Sequence, residues 1–85
     1  MKIASAGNTI VPVYLSIKEL GYSITVKKLS DGESLWSAIK DDYKFIGNDP
    51  LEVLALIKMH EVRGDSWQAS DSEIENFLDL YEKNS

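Results

Sequence analysis

Asn48-Asp49-Pro50-Leu51-Glu52-Val53-Leu54-Ala55-Leu56-Ile57-Lys58-Met59-His60-Glu61-Val62-Arg63-Gly64 reads as one helix with both ends written into it. Asp49 offers the short side-chain acceptor of an N-cap. Pro50 fits the first helical position, where the N–H it lacks would find no intrahelical acceptor. Gly64 stops the helix by taking the left-handed conformation that a Cβ resists. Between them, Leu51, Val53, Leu54, Ala55, Leu56 and Ile57 leave Glu52 as the one polar residue of the first two turns. A segment this apolar is expected to be covered on most sides, which makes it the core helix.

The chain before it supplies the covering layers. Met1 to Gly7 is either an edge strand through Lys2-Ile3-Ala4 or an ordered lead-in. Asn8 or Thr9 caps a first helix that runs to about Leu20 and stops at Gly21. Pro12 is tolerated there because it falls in the first turn. Ile10, Val13, Tyr14, Ile17 and Leu20 form its core-facing stripe. From Ser23 to Leu29 the period changes to two, with Ile24 and Val26 alternating with Thr25 and Lys27, which predicts a strand. Ser30-Asp31-Gly32-Glu33 is a turn, Leu35–Lys40 a second strand, Asp41-Asp42 a tight turn and Tyr43–Ile46 a third strand. A two-residue turn sets Lys40 opposite Tyr43 and Ala38 opposite Phe45. One face then carries Trp36, Ala38 and Phe45, the other Leu35, Ile39 and Ile46, and the spacing leaves open which is buried.

Beyond Gly64, a short connection holds Trp67. Ser70-Asp71-Ser72-Glu73 is a capping box, and Ile74, Phe77, Leu78 and Tyr81 follow at i, i+3, i+4 and i+7. A last helix with one apolar stripe is expected, its end fraying over Lys83 to Ser85. The chain is read as a single domain, residues 1–85, of α+β class. A three-stranded antiparallel meander packs against three helices in the order α-β-β-β-α-α.

Composition narrows the function. With 44% hydrophobic and 27% charged residues the 85-residue chain is an ordinary globular domain. It has no cysteine, hence no disulfide and no thiolate metal site, which fits a reducing cytoplasm. Gly7, Asn8 and Pro12 interrupt any signal-peptide core, and no segment reaches membrane-spanning length, so a cytoplasmic protein is expected. The net charge of −5 is local. Residues 1–64 carry eight acids and eight bases, while the last 21 carry six acids against Lys83 alone. No basic patch exists to neutralise phosphates, so nucleic acid is not an expected partner. A basic protein is compatible with the acidic end.

The candidate sites each have a structural reading beside the functional one. Asp71, Glu75, Asp79 and Glu82 fall within about 80° of one another at roughly 100° per residue. They are either a docking stripe for a basic partner or a solvated face that keeps a small protein soluble. His60, the sole histidine, lacks a partner at any catalytic or metal-ligating spacing and reads as a half-exposed residue near a helix C-terminus. The pairs Asp41-Asp42 and Asp31/Glu33 sit where hairpin turns need them. Gly7-Asn8-Thr9 lacks the pattern of a nucleotide loop. Trp67 either plugs the gap between two helices or protrudes as an anchor.

Gly7-Asn8-Thr9-Ile10-Val11-Pro12, Asp49-Pro50-Leu51-Glu52, Arg63-Gly64 and Trp67-Gln68-Ala69-Ser70-Asp71 together resemble the punctuation of a family of small single-domain bacterial proteins of unassigned activity, immunity-protein-like in kind. The resemblance implies no catalytic residue. The expectation is a non-enzymatic protein-interaction domain without cofactor or metal, binding a basic partner through Trp67, Glu75, Asp79 and Glu82. The alternative is a small homodimeric structural or regulatory protein whose interface is a spare apolar sheet face carrying Trp36 and Phe45.

Overall fold

In the computed structural model, residues 1–5 and 7–83 are described. A 3-10 turn, Gly7–Thr9, leads into α1 (Ile10–Glu19). Strands β1 (Ser23–Lys28), β2 (Ser34–Lys40) and β3 (Tyr43–Gly47) follow, then α2 (Pro50–Arg63) and α3 (Asp71–Lys83). The fold is α+β in the expected order, and the sheet is an antiparallel meander with β2 in the middle. The expectations for Ala6, Asn84 and Ser85 lie outside the described residues. Residues 1–5 form no strand.

Both ends of α2 form as their residues dictate. Asp49 accepts the Glu52 N–H at 2.8 Å, and Glu52 reciprocates by accepting the Asn48 N–H at 3.0 Å. Gly64, at φ 76°, donates its N–H to the His60 carbonyl at 2.8 Å. The start of α1 differs from expectation. Thr9 stands at φ −88°, ψ −13° and makes no side-chain cap bond. A cap hydroxyl works from extended backbone, and the preceding 3-10 turn has already made Thr9 helical. At the other end of α1, Lys40 of β2 donates to the Leu20 carbonyl at 2.9 Å, a cation placed where the helix dipole favours one.

The hairpin register is the one the Asp41-Asp42 turn requires: Lys40 pairs with Tyr43 and Ala38 with Phe45. Asp41 takes φ 55°, the positive value such short turns demand at their first residue. In the longer β1–β2 connection, Asp31 accepts the Glu33 N–H at 3.0 Å. Residues directly opposite share a face, so Ile24, Val26, Trp36, Ala38, Tyr43 and Phe45 lie on one side. That is the side on which α1 and α2 pack. Trp36 and Phe45 are therefore half-buried against the core, which corrects their assignment to a spare face. The uncovered side carries Ser23, Thr25, Lys27, Leu35, Ser37, Ile39, Lys44 and Ile46.

Among the described residues the enclosed apolar cluster is Ile17, Ala38, Val53 and Ile57, with Gly47 and Pro50 buried beside it. The expectation that α2 is covered on most sides does not hold. Val53 and Ile57 are buried, Leu54 and Leu56 only half so, and Leu51 and Ala55 face solvent. One flanking helix and one sheet are too little to surround a third element. The α2–sheet contact is close because β3 ends in Gly47. A Cβ there would lie 2.9 Å from the Glu52 Cβ and 3.2 Å from the Val53 N. Gly47→Ala should thus destabilise the fold by about 1–3 kcal/mol through overpacking. Gly7→Ala, where a Cβ meets nothing within 4 Å, should leave the urea midpoint within the small range of surface substitutions.

Candidate functional site

The candidate surfaces lie where the chain leaves α2. Gly64 reverses the backbone, and Asp65 comes back against the helix it follows. Its Oδ1 sits 2.7 Å from His60 Nε2 and accepts the Tyr43 hydroxyl at 2.9 Å. The Tyr43 and His60 rings lie 4.5 Å apart, with Phe45 next to both. Strand β3, α2 and the connection are thereby joined at one point. Spacing alone gives His60 no partner. The legible signal is the helix-stopping Gly64 followed at once by a carboxylate, which returns that carboxylate to the last turn.

This cluster forms one end of a groove of about 340 Å³ along the edge of β3, with Leu56, Met59, Ile46 and Trp67 on its walls. Trp67, 43% exposed, lines this groove and presents much of its indole to solvent rather than filling the gap between the two helices. The lining holds no Ser, Thr or Cys nucleophile, and Asp65 already occupies His60 Nε2. The cluster acts as a staple for the connection. Among the described residues, no group of three or more His, Cys, Asp or Glu side chains could hold a metal ion, and no helix is long and apolar enough to cross a membrane.

A second clamp sets the direction of α3. Arg63 donates through Nε to the Trp67 carbonyl at 2.7 Å and lies 3.5 Å from both the Gln68 carbonyl and Glu73 Oε1. Glu73 in turn accepts the Ser70 N–H at 2.8 Å, and Ser70 Oγ accepts the Glu73 N–H at 3.3 Å, closing the capping box. These contacts, the Ser70 N–H first, hold the Glu73 carboxyl below the usual range. From this root α3 runs out with every residue exposed. Phe77 is 63% and Tyr81 67% exposed, their rings stacked on one another rather than on the body. Glu75, Asp79 and Glu82 share the face beside that apolar stripe. The expected partner-binding residues thus fall in two places, the three acids on α3 and Trp67 in the groove at its root.

Sequence comparison adds no relative to this geometry: no family model, curated protein or solved structure matches the chain.

The staple titrates at both ends. The Asp65 carboxyl is held below its ordinary range, first by the His60 contact and then by the Tyr43 hydroxyl. Its stabilisation is present above the ordinary carboxylate pKa and lost as pH falls through the lowered one. Tyr43 is pushed up, chiefly by donating to Asp65 and by that charge. Its share is intact below the ordinary tyrosine pKa and is lost as pH rises through the raised value. In Asp65→Ala, the tyrosinate absorbance of Tyr43, taken as a difference from Tyr43→Phe, should titrate at lower pH than in the native chain. The acid limb of its stability profile should also flatten.

Proposed function

We propose that this chain is a non-enzymatic protein-interaction domain that docks through α3. The observation that carries the reading is a capped amphipathic helix whose apolar stripe of Ile74, Phe77, Leu78 and Tyr81 its own chain leaves exposed. An unpacked helix of 13 residues gains little from its own hydrogen bonds, and its stability comes from covering that stripe. Helix-in-groove recognition uses this i, i+3, i+4, i+7 spacing. The surface area points the same way. A folded monomer of 9.5 kDa exposes about 5,000 Å², whereas this chain exposes 6934 Å². Its radius of gyration is 15.4 Å against about 12 Å for a compact 85-residue domain.

The partner's chemistry follows from the helix. It needs an apolar surface to take the stripe and cations to meet Glu75, Asp79 and Glu82. An immunity-type role, in which an acidic chain engages a basic protein, is the form of this reading that the charge favours. Capture on the immobilised chain, washed at low and high salt, tests it. The expected retained protein is basic, released by salt, and lost when Glu75→Lys, Asp79→Lys and Glu82→Lys are combined or when Phe77→Glu is introduced. Association to that protein should slow roughly tenfold or more in the charge-reversed chain, with a flatter salt dependence. Equal capture by native and altered chains would remove α3 from the reading.

A further inference from the structure

Among the described residues, two exposed faces complement each other. The first is the stripe of α3, whose helix carries five acids against Lys83. The second is the uncovered side of the sheet. Leu35, Ile39 and Ile46 are its apolar residues, with Ile46 47% exposed; Lys27 and Lys44 are its charges, and none of its eight positions is acidic. The sizes agree as well. A helix of 13 residues is about 20 Å long, and a strand of seven residues such as β2 spans about 23 Å. A helix laid on a sheet face is the layer arrangement that α1 and α2 already make on the other side.

We infer that, until a basic partner displaces it, α3 docks on a second copy of this chain, each copy laying its α3 across the uncovered sheet face of the other. The inference rests on α3 being the docking element and names what covers it in the isolated protein. Its own sheet is not the acceptor, because the Arg63 contacts to Trp67, Gln68 and Glu73 hold the root of α3 in a direction that buries none of its residues. Pairing of α3 with α3 would bring two helices of like charge together. The reciprocal contact instead sets Glu75, Asp79 and Glu82 toward Lys27 and Lys44. The exposed surface of 6934 Å² exceeds that of a compact monomer by about 1,900 Å², the N-terminal residues included, and a standard stable interface takes roughly 800 Å² from each partner.

Two full-length variants and their mixture test this by sedimentation velocity over a range of micromolar concentrations, with circular dichroism to confirm the fold. Ile46→Glu combined with Ile39→Glu blocks the sheet face and leaves α3 intact. Phe77→Glu combined with Tyr81→Glu blocks the helix and leaves the sheet intact. All four side chains are exposed. The native chain should be a dimer, and self-association of each variant alone should weaken roughly a hundredfold. The equimolar mixture should form a heterodimer, because one unaltered helix still meets one unaltered sheet. That heterodimer should be weaker than the native dimer, having one contact in place of two.

A sheet variant that still dimerises alone would indicate helix-to-helix pairing and overturn the inference. A helix variant that does so would indicate pairing through the sheets or another surface, with the same consequence. Two monomeric variants that stay monomeric when mixed overturn the reciprocal contact, as does a monomeric native chain. In that last case the docking role of α3 still stands or falls separately, on the capture comparison with Phe77→Glu.

Discussion

The close approach of α2 to the sheet is the contact on which the remaining structure depends. It is possible because the sheet offers two small residues, Ala38 in the centre and Gly47 at the end of β3, beneath Val53 and Ile57. Ile17 of α1 completes the enclosed cluster. So small a set of enclosed side chains leaves a domain of this size little stability to spare. The hydrogen-bonded helix ends, the Asp41 turn and the Lys40 contact to Leu20 are accordingly substantial parts of what fixes the fold, each fastening one element that the core holds only on one side.

Residues that act on their immediate neighbours are legible in the sequence itself. Asp49, Pro50 and Gly64 delimit α2, Ser70 and Glu73 begin α3, and Asp41-Asp42 sets the β2–β3 register. Each operates within three or four residues, so no knowledge of packing is needed. Side-chain exposure is harder to read. Leu51 and Ala55 look like core residues because hydrophobicity reports a preference for burial, whereas burial itself needs something to do the covering. The sheet faces are legible as sets, since alternation fixes which residues travel together. Which set meets the helices is decided by the path of α1 and α2, which no local signal carries.

The staple shows the same limit from the other side. Tyr43, His60 and Asp65 belong to a strand, a helix and a loop, and their meeting requires the register of β3, the length of α2 and the turn at Gly64 all at once. Asp65 as the residue after a stop glycine is the only part of it that a sequence displays. Its effect is to tie the connection down over the groove beside Trp67, and Arg63 continues the same task one step further along. The two clamps convert a short connection into a fixed bracket for α3.

That bracket has a physical consequence. A flexible link would let α3 collapse onto whichever apolar surface of its own chain lay within reach, because burying Phe77 and Tyr81 is favourable wherever it happens. Holding the root of α3 with one guanidinium on two carbonyls and a carboxylate opposes that collapse. The stripe is thereby kept available, and its acids keep it from pairing with its own kind. A surface of the opposite character, apolar and cationic, is already present on the far side of the sheet. Helix and sheet are thus matched in length and opposite in charge, and the proposed contact between copies uses that match.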